Sequence, residues 1–244
     1  MNKRIIILDT ETTGLDPKWG HRLTEIGLIE VINRQPTGRV FHTYLNPERE
    51  LDAKAAEITG LSYERLRTEP KFGDILEDFL AFLEGADELI AHNAPFDIGF
   101  FNHELGLVKY PHLPLEQHYT IIDTRILGRK LNPGFRSYSL DALCKRYEII
   151  NDRFDSANQG RHGALLDADI LTRLYLKMTS GQEVLAFEGE ADIAPSEPNQ
   201  ANNFEIQIDA VQIQQTDNLK IVYATAEELA LHDARLDSLI KVVS

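Results

Sequence analysis

At 244 residues and 43% hydrophobic content, the chain can bury the core of one ordinary domain and carry an appendage; with no apolar run of spanning length and no signal-peptide pattern, a cytoplasmic protein without a membrane partner is expected. The formal charge of −14 predicts weak unaided affinity for DNA, and it is uneven: residues 1–180 hold 22 Lys and Arg against 27 Asp and Glu, residues 181–244 hold 3 against 12. The lone Cys144 excludes an internal disulfide, and its place in the apolar-periodic SLDALCKRY predicts a buried, inert thiol.

In chain order, four apolar residues from Ile5 predict a buried strand that runs into Asp9 and Glu11 and breaks at Gly14. Asp16 to Gly20 reads as a turn, Leu23 to Ile32 as a strand interrupted by Glu25 and Glu30, and Thr37-Gly38 as the turn into a strand over Val40 to Leu45. Short helices are expected over Asp52 to Ile58 and Ser62 to Leu66. The spacing of Phe72, Ile75, Leu76, Phe79, Leu80 and Leu83 predicts an amphipathic helix. A short strand at Leu89 to Ala91 then delivers His92-Asn93, and Pro95 opens a helix with Ile98, Phe101 and Leu105. Tyr119 to Ile122 reads as a last strand, followed by helices over Asp123 to Leu131, Ser139 to Tyr147 and His162 to Met178. A meander followed by alternating strands and helices is an α/β pattern: a mixed sheet flanked by helices. Beyond Gly181 the composition shifts. Glu188 to Asn203 reads as a flexible linker, and residues 204–244 as a segment too small to bury the apolar stripe Leu229, Leu236, Leu239, Ile240 and Val243 by itself, hence a partner-binding piece.

Four features could share one site. Side chains alternate along a strand, so Asp9 and Glu11 project from one face, where two ionised carboxylates repel each other unless a cation sits between them; a hydrated strand end is the other reading. Asp97 in HNAPFD is either a helix cap or a ligand. In HGALLDADIL, His162 and Asp167 meet only if the histidine precedes the first helical turn. Carboxylates without cysteine favour Mg²⁺ or Mn²⁺ over zinc, two such ions suit in-line phosphodiester hydrolysis, and an imidazole suits removal of a proton from the attacking water. Asp123 and Asp141 follow helix-start patterns and are expected to cap or orient.

DTETTG, HNAPFD and HGALLDA together resemble the three motifs of the DEDDh family of 3′→5′ exonucleases. The resemblance implies a ribonuclease H-like five-stranded sheet over an exonuclease domain at residues 1–180. It implies two divalent cations held by Asp9, Glu11, Asp97 and Asp167, with Asp9 as the bridge, and His162 as general base. It also puts Thr12, Thr13 and Leu15 at the terminal nucleotide. YSLDALCKRYEI and the VYATAEEL and HDARLD stretches are similar to the branch of that family formed by proofreading ε subunits of bacterial DNA polymerase III. That branch implies removal of mispaired nucleotides from a frayed DNA 3′ end. It further implies binding of the polymerase α subunit through residues 204–244, and of the sliding clamp through residues 182–187, with Gln182, Leu185 and Phe187 as the contacts. Two alternatives fit the residues: a DEDDh exoribonuclease, or a catalytically silent scaffold joining polymerase and clamp.

Overall fold

The computed structural model describes residues 3–112, 114–155, 158 and 160–180. The expected clamp-binding peptide and linker (181–203), with the candidate clamp contacts Gln182, Leu185 and Phe187, and the partner-binding segment (204–244) lie outside the described residues. A five-stranded sheet forms the centre, in the order β3-β2-β1-β4-β5. β1 (Arg4–Thr12), β2 (Leu23–Ile32) and β3 (Gln35–Tyr44) make an antiparallel meander, while β4 (Glu88–Ala91) and β5 (Thr120–Asp123) join parallel to β1. The mixed sheet expected from the alternation of elements is the one observed.

β1 is central because both of its faces are apolar. Ile6 and Leu8 pack into one cluster with Phe79, Phe82, Ile98 and Phe101, from α3 (Leu76–Leu83) and α4 (Pro95–Leu107). Ile5 and Ile7 pack into the other with Leu143, Leu171 and Leu174, from α6 (Leu140–Tyr147) and α7 (Ala164–Thr179). The period of two in a strand therefore sorts odd residues towards α6 and α7 and even residues towards α3 and α4. Cys144 is buried in the second cluster, and loss of solvation pushes its thiol up to about 11, so it is inert as expected. Among the described residues, the remaining α-helices are α1 (Ala53–Thr59), α2 (Tyr63–Leu66) and α5 (Thr124–Leu131). Among the described residues, no helix is long and apolar enough to cross a membrane.

One turn is misplaced by sequence reasoning. The β2–β3 hairpin closes at Asn33-Arg34, both with positive φ, rather than at Thr37-Gly38. Two consecutive left-handed residues make the tight loop whose twist matches a hairpin, and asparagine tolerates that region well. Gly38, at φ 83°, sits instead in a bulge opposite Glu30, where Thr37 Oγ1 donates to Glu30 Oε2 at 2.8 Å and Arg39 reaches Glu30 Oε1 at 3.2 Å.

Two long-range packings bring the helices that bear the candidate carboxylates against the sheet. Arg22 donates to both oxygens of Glu104, at 2.7 and 2.8 Å, and Glu104 is 1% exposed, so α4 is bound to the start of β2 by a buried two-pronged ion pair. Gly27 of β2, opposite Asp9 in the ladder, lies so close to α7 that a Cβ there would be 2.4 Å from the Ala164 carbonyl carbon and the Leu165 nitrogen. Both are backbone atoms and cannot rotate away. Gly27→Ala is therefore expected to lift the first turn of α7 off the sheet, destabilising the fold by about 1–3 kcal/mol as overpacking does and displacing His162 and Asp167. Chemical denaturation checks the first effect and metal-dependent nuclease assays the second; a variant with parental stability and activity would contradict it.

Candidate active site

β1 pairs with β4 only from Ile5 to Ile7, so beyond Leu8 the two strands no longer hydrogen-bond and the end of β1 is open at the carboxyl edge of the parallel strands, where α/β sheets bind ligands. A cavity of about 850 Å³ opens there, and Asp9, Glu11, Asp97, His162 and Asp167 all line it. The alternation of β1 explains the convergence. Asp9 and Glu11, with odd parity, face the α7 side, where Asp167 emerges from the first turn of that helix. Thr10, with even parity, faces the α4 side and donates its hydroxyl to Asp97 Oδ1 at 2.7 Å. One strand end thus gathers carboxylates from helices on opposite faces of the sheet.

His162 lies two residues before α7, as the spacing required. Its backbone N–H donates to the Ile58 carbonyl at 3.1 Å, and its Nδ1 is 3.2 Å from Asp167 Oδ2. One ligand atom from each of Glu11, His162 and Asp167 falls within 4.8 Å of the others.

The electrostatics are those of crowded anions. Asp97 and Asp167 are 3% and 1% exposed. Asp9 keeps part of its surface open to the cavity yet is ringed by protein, so it is short of bulk water even though solvent can touch it. Loss of solvation, then repulsion from Asp167, Asp97 and Glu11, pushes the Asp9 carboxyl well above its usual range. Burial likewise raises Glu11, aided by Asp167 and Glu25, and it raises Asp97 to about 7 against the opposing hydrogen bond from Thr10. A cation lowers all of these costs at once, and the hard oxygen donors with one imidazole suit a divalent ion of the magnesium or manganese type.

Sequence reasoning missed Arg153. It sits in a 3-10 turn (Asp152–Phe154), 5% exposed; its Nε donates to Asp167 Oδ1 and its Nη1 to Asp141 Oδ1 at 2.8 Å. A polar, irregular stretch carries no periodic signal that would single out one arginine. Asp141 consequently orients Arg153, and Asp123 caps α5 and holds the strained Asn93 backbone (φ 70°) by accepting from its N–H at 3.1 Å. His92 also lines the cavity, and burial lowers its pKa to about 4, which keeps the ring neutral. Thr12 and the 82% exposed Leu15 stand in the cavity wall, but Thr13 does not: fully buried, its hydroxyl bonds to His21 Nδ1 and the Arg22 N–H, both at 3.0 Å. Its part is to fix the turn after β1.

Residues 6–175 match the Exonuclease family (RNase T). The DNA polymerase III subunit epsilon of Salmonella typhimurium is 43% identical over 96% of this chain and 92% of that protein. Among solved structures, exonuclease X in complex with 5′ overhanging duplex DNA superposes with a TM-score of 0.55 at 26% identity, over 74% of this chain and 92% of that one. The nuclease domain of 3′hExo, a DEDDh family member, superposes with a TM-score of 0.61 at 18% identity, over 73% and 92%, and bears on the fold alone. A ribonuclease H-like sheet, four gathered carboxylates and near-complete alignment agree, and the chain belongs to the exonuclease family, in its DNA polymerase III epsilon branch of 3′→5′ exonucleases.

Proposed function

We propose that this chain removes mispaired nucleotides from DNA 3′ ends as the proofreading subunit of a replicative polymerase, and that Asp9, Glu11, Asp97 and Asp167 hold two divalent cations, Mg²⁺ or Mn²⁺, with Asp9 shared between them. The observation that carries this reading is the convergence of four carboxylates and one imidazole on a single cavity. The bound cations supply charge stabilisation to the attacking and leaving oxygens of an in-line displacement. The chain's own residues do the rest. His162, with Nδ1 turned to Asp167, takes the proton of the attacking water at its other ring nitrogen. Leu15 and Thr12 flank the terminal nucleotide, and Thr13 supports them from behind. Selectivity for mispairs comes from fraying, because an unpaired end separates at lower cost than a paired one. The division into an exonuclease domain (1–180), a linker with a clamp-binding peptide (Gln182, Leu185, Phe187) and an α-subunit-binding segment (204–244) belongs to the same reading. Tethering to polymerase and clamp compensates for the acidic chain's weak grip on DNA.

The test is direct. In Mg²⁺ or Mn²⁺ the full chain is expected to shorten a 3′-mispaired DNA primer faster than a paired one and faster than RNA of the same sequence. The Asp167→Ala variant is expected to be inactive. No metal-dependent shortening by the parent would leave only the scaffold role; RNA outrunning DNA would move the chain to RNA trimming.

Arg153 places its guanidinium on the carboxylate that a cation needs, so metal and arginine compete for Asp167. Arg153→Ala is expected to bind Mn²⁺ about tenfold more tightly by calorimetry, a difference of ~1.4 kcal/mol, while melting lower without metal. Unchanged or weaker Mn²⁺ binding would show that the arginine does not stand in the way.

A further inference from the structure

The charge of this chain is not only low but sorted. Most arginines near the sheet are matched to acids: Arg4 and Arg39 to Glu30, Arg22 to Glu104, Arg65 to Glu69, Arg67 to Glu64, Arg173 to Asp152. Residues 124–139, TRILGRKLNPGFRSYS, break that rule. They carry Arg125, Arg129, Lys130 and Arg136 and no acidic residue, in a chain of net charge −14. All four cations are exposed, and among the described residues none has a carboxylate within ion-pair distance. Arg125, Arg129 and Arg136 nonetheless line the same cavity as the buried carboxylates. Asp141, the acid on the same wall, is already engaged by Arg153.

The placement is ordered. Arg125 and Arg129 are four residues apart on α5 and so share one helix face, where like charges repel unless something anionic lies across them. Arg129 lies over the Tyr138 ring, 5.7 Å to its centroid, and the half-open ring of Phe135 meets Tyr138 edge-on at 6.0 Å. Tyr138 in turn ties the loop by donating to the Asn132 carbonyl at 2.7 Å and accepting from the Phe135 N–H at 3.1 Å. A row of cations without carboxylate partners, with an aromatic face beside it, is the pattern that carries a single nucleic-acid strand, phosphates on the cations and bases on the rings. Carboxylates at the floor and arginines at one lip also divide the labour along the strand: the scissile phosphodiester goes to the floor, and the phosphates behind it lie along the lip.

We propose that α5 and the loop to α6 form a phosphate-binding strip, with Arg125, Arg129 and Arg136 as its contacts and Phe135 as its stacking face, which holds the single-stranded nucleotides immediately 5′ of the terminal one. The proposal deepens the exonuclease reading and rests on it. It accounts for how an acidic protein holds a polyanion locally without gripping DNA elsewhere, and it makes strand length part of substrate recognition.

The test uses the full chain and a triple Arg125→Gln, Arg129→Gln, Arg136→Gln variant, with parental melting as the check on folding. Hydrolysis of a ten-nucleotide single strand is compared with that of the p-nitrophenyl ester of thymidine 5′-phosphate, which has no phosphate upstream. The variant is expected to lose on the order of tenfold in kcat/KM on the ten-mer and less than twofold on the ester. The log–log salt slope for binding fluorescein-labelled ten-mer is expected to shrink by about 2, since each single-strand phosphate contact contributes about 0.7. An unchanged salt slope, an equal loss on ester and ten-mer, or a loss confined to the duplex part of a primer–template would each overturn the strip. If the parent hydrolyses neither substrate, the exonuclease reading falls on that result, and the salt slope of binding still decides the strip separately.

Discussion

Asp9→Asn is expected to abolish hydrolysis and to stabilise the metal-free protein. The loss of activity should reach about 10²–10³-fold, the scale on which removing one preorganised electrostatic group costs a reaction, because Asp9 sits among Glu11, Asp97 and Asp167, the other carboxylates proposed to hold the cations. The gain in stability has the same origin. Without metal, folding gathers four carboxylates around β1 with Arg153 as the nearest compensating charge, and burial together with mutual repulsion disfavours ionised Asp9. An isosteric amide at position 9 removes one anion while Arg153 keeps its partners Asp167 and Asp141. A gain of about 2 kcal/mol, or roughly 4–8 °C in Tm for a domain of this size, is expected in EDTA at pH 8. Saturating Mn²⁺ should reverse the order, because the parent then recovers binding energy that the variant lacks. Thermal melts in the two buffers make the comparison; a variant that melts below the parent in EDTA would mean that the carboxylates are not in conflict.

The second large effect is a dependence of that conflict on pH. Asp97 has a pKa of about 7 in the folded chain and an ordinary one near 4 when unfolded. Between these values the folded state binds the extra proton, so stability is lost as pH rises through the window, the reverse of the usual carboxylate behaviour. His92 works against this: its folded pKa of about 4 lies below its unfolded value, so its contribution is gained as pH rises from about 4 to 6.5. Comparing parent with Asp97→Asn cancels the histidine, along with Glu30, whose arginine partners hold its carboxyl below the usual range despite partial burial. In EDTA the advantage of Asp97→Asn over the parent is expected to grow from near zero at pH 4.5 to as much as about 4 kcal/mol at pH 8, each tenfold difference in proton affinity between folded and unfolded chain being worth about 1.36 kcal/mol. Metal binding should release protons over the same range, because the ligands must ionise to bind. A stability difference independent of pH would place the Asp97 carboxyl in an ordinary environment.

Much of the fold was legible because it rests on local periodicity. The apolar run Ile5 to Leu8 and the helical spacing of Leu76 to Leu83 mark β1 and α3 in the chain, though Phe72–Ile75, expected in the same helix, forms a 3-10 turn before it. The hairpin turn was misread because Thr37-Gly38 and Asn33-Arg34 are both acceptable turn sequences. The choice was settled by the register that pairs Ile29 with Val40, and register is a property of two strands rather than of one.

The site divides in the same way. Which residues could bear a charge, and that Asp9 and Glu11 share a face, follows from the chain alone, because a strand repeats every two residues wherever it is placed. That Asp97 and Asp167 come to the end of that strand from opposite sides of the sheet, that Thr13 turns inward to His21, and that Arg153 closes on Asp167 from fourteen residues away was decided only when β1 took the middle of the sheet and α7 settled onto Gly27. Those contacts join residues of different elements, and the energy that selects them, burial on both faces of one strand, exists only once the layers are assembled.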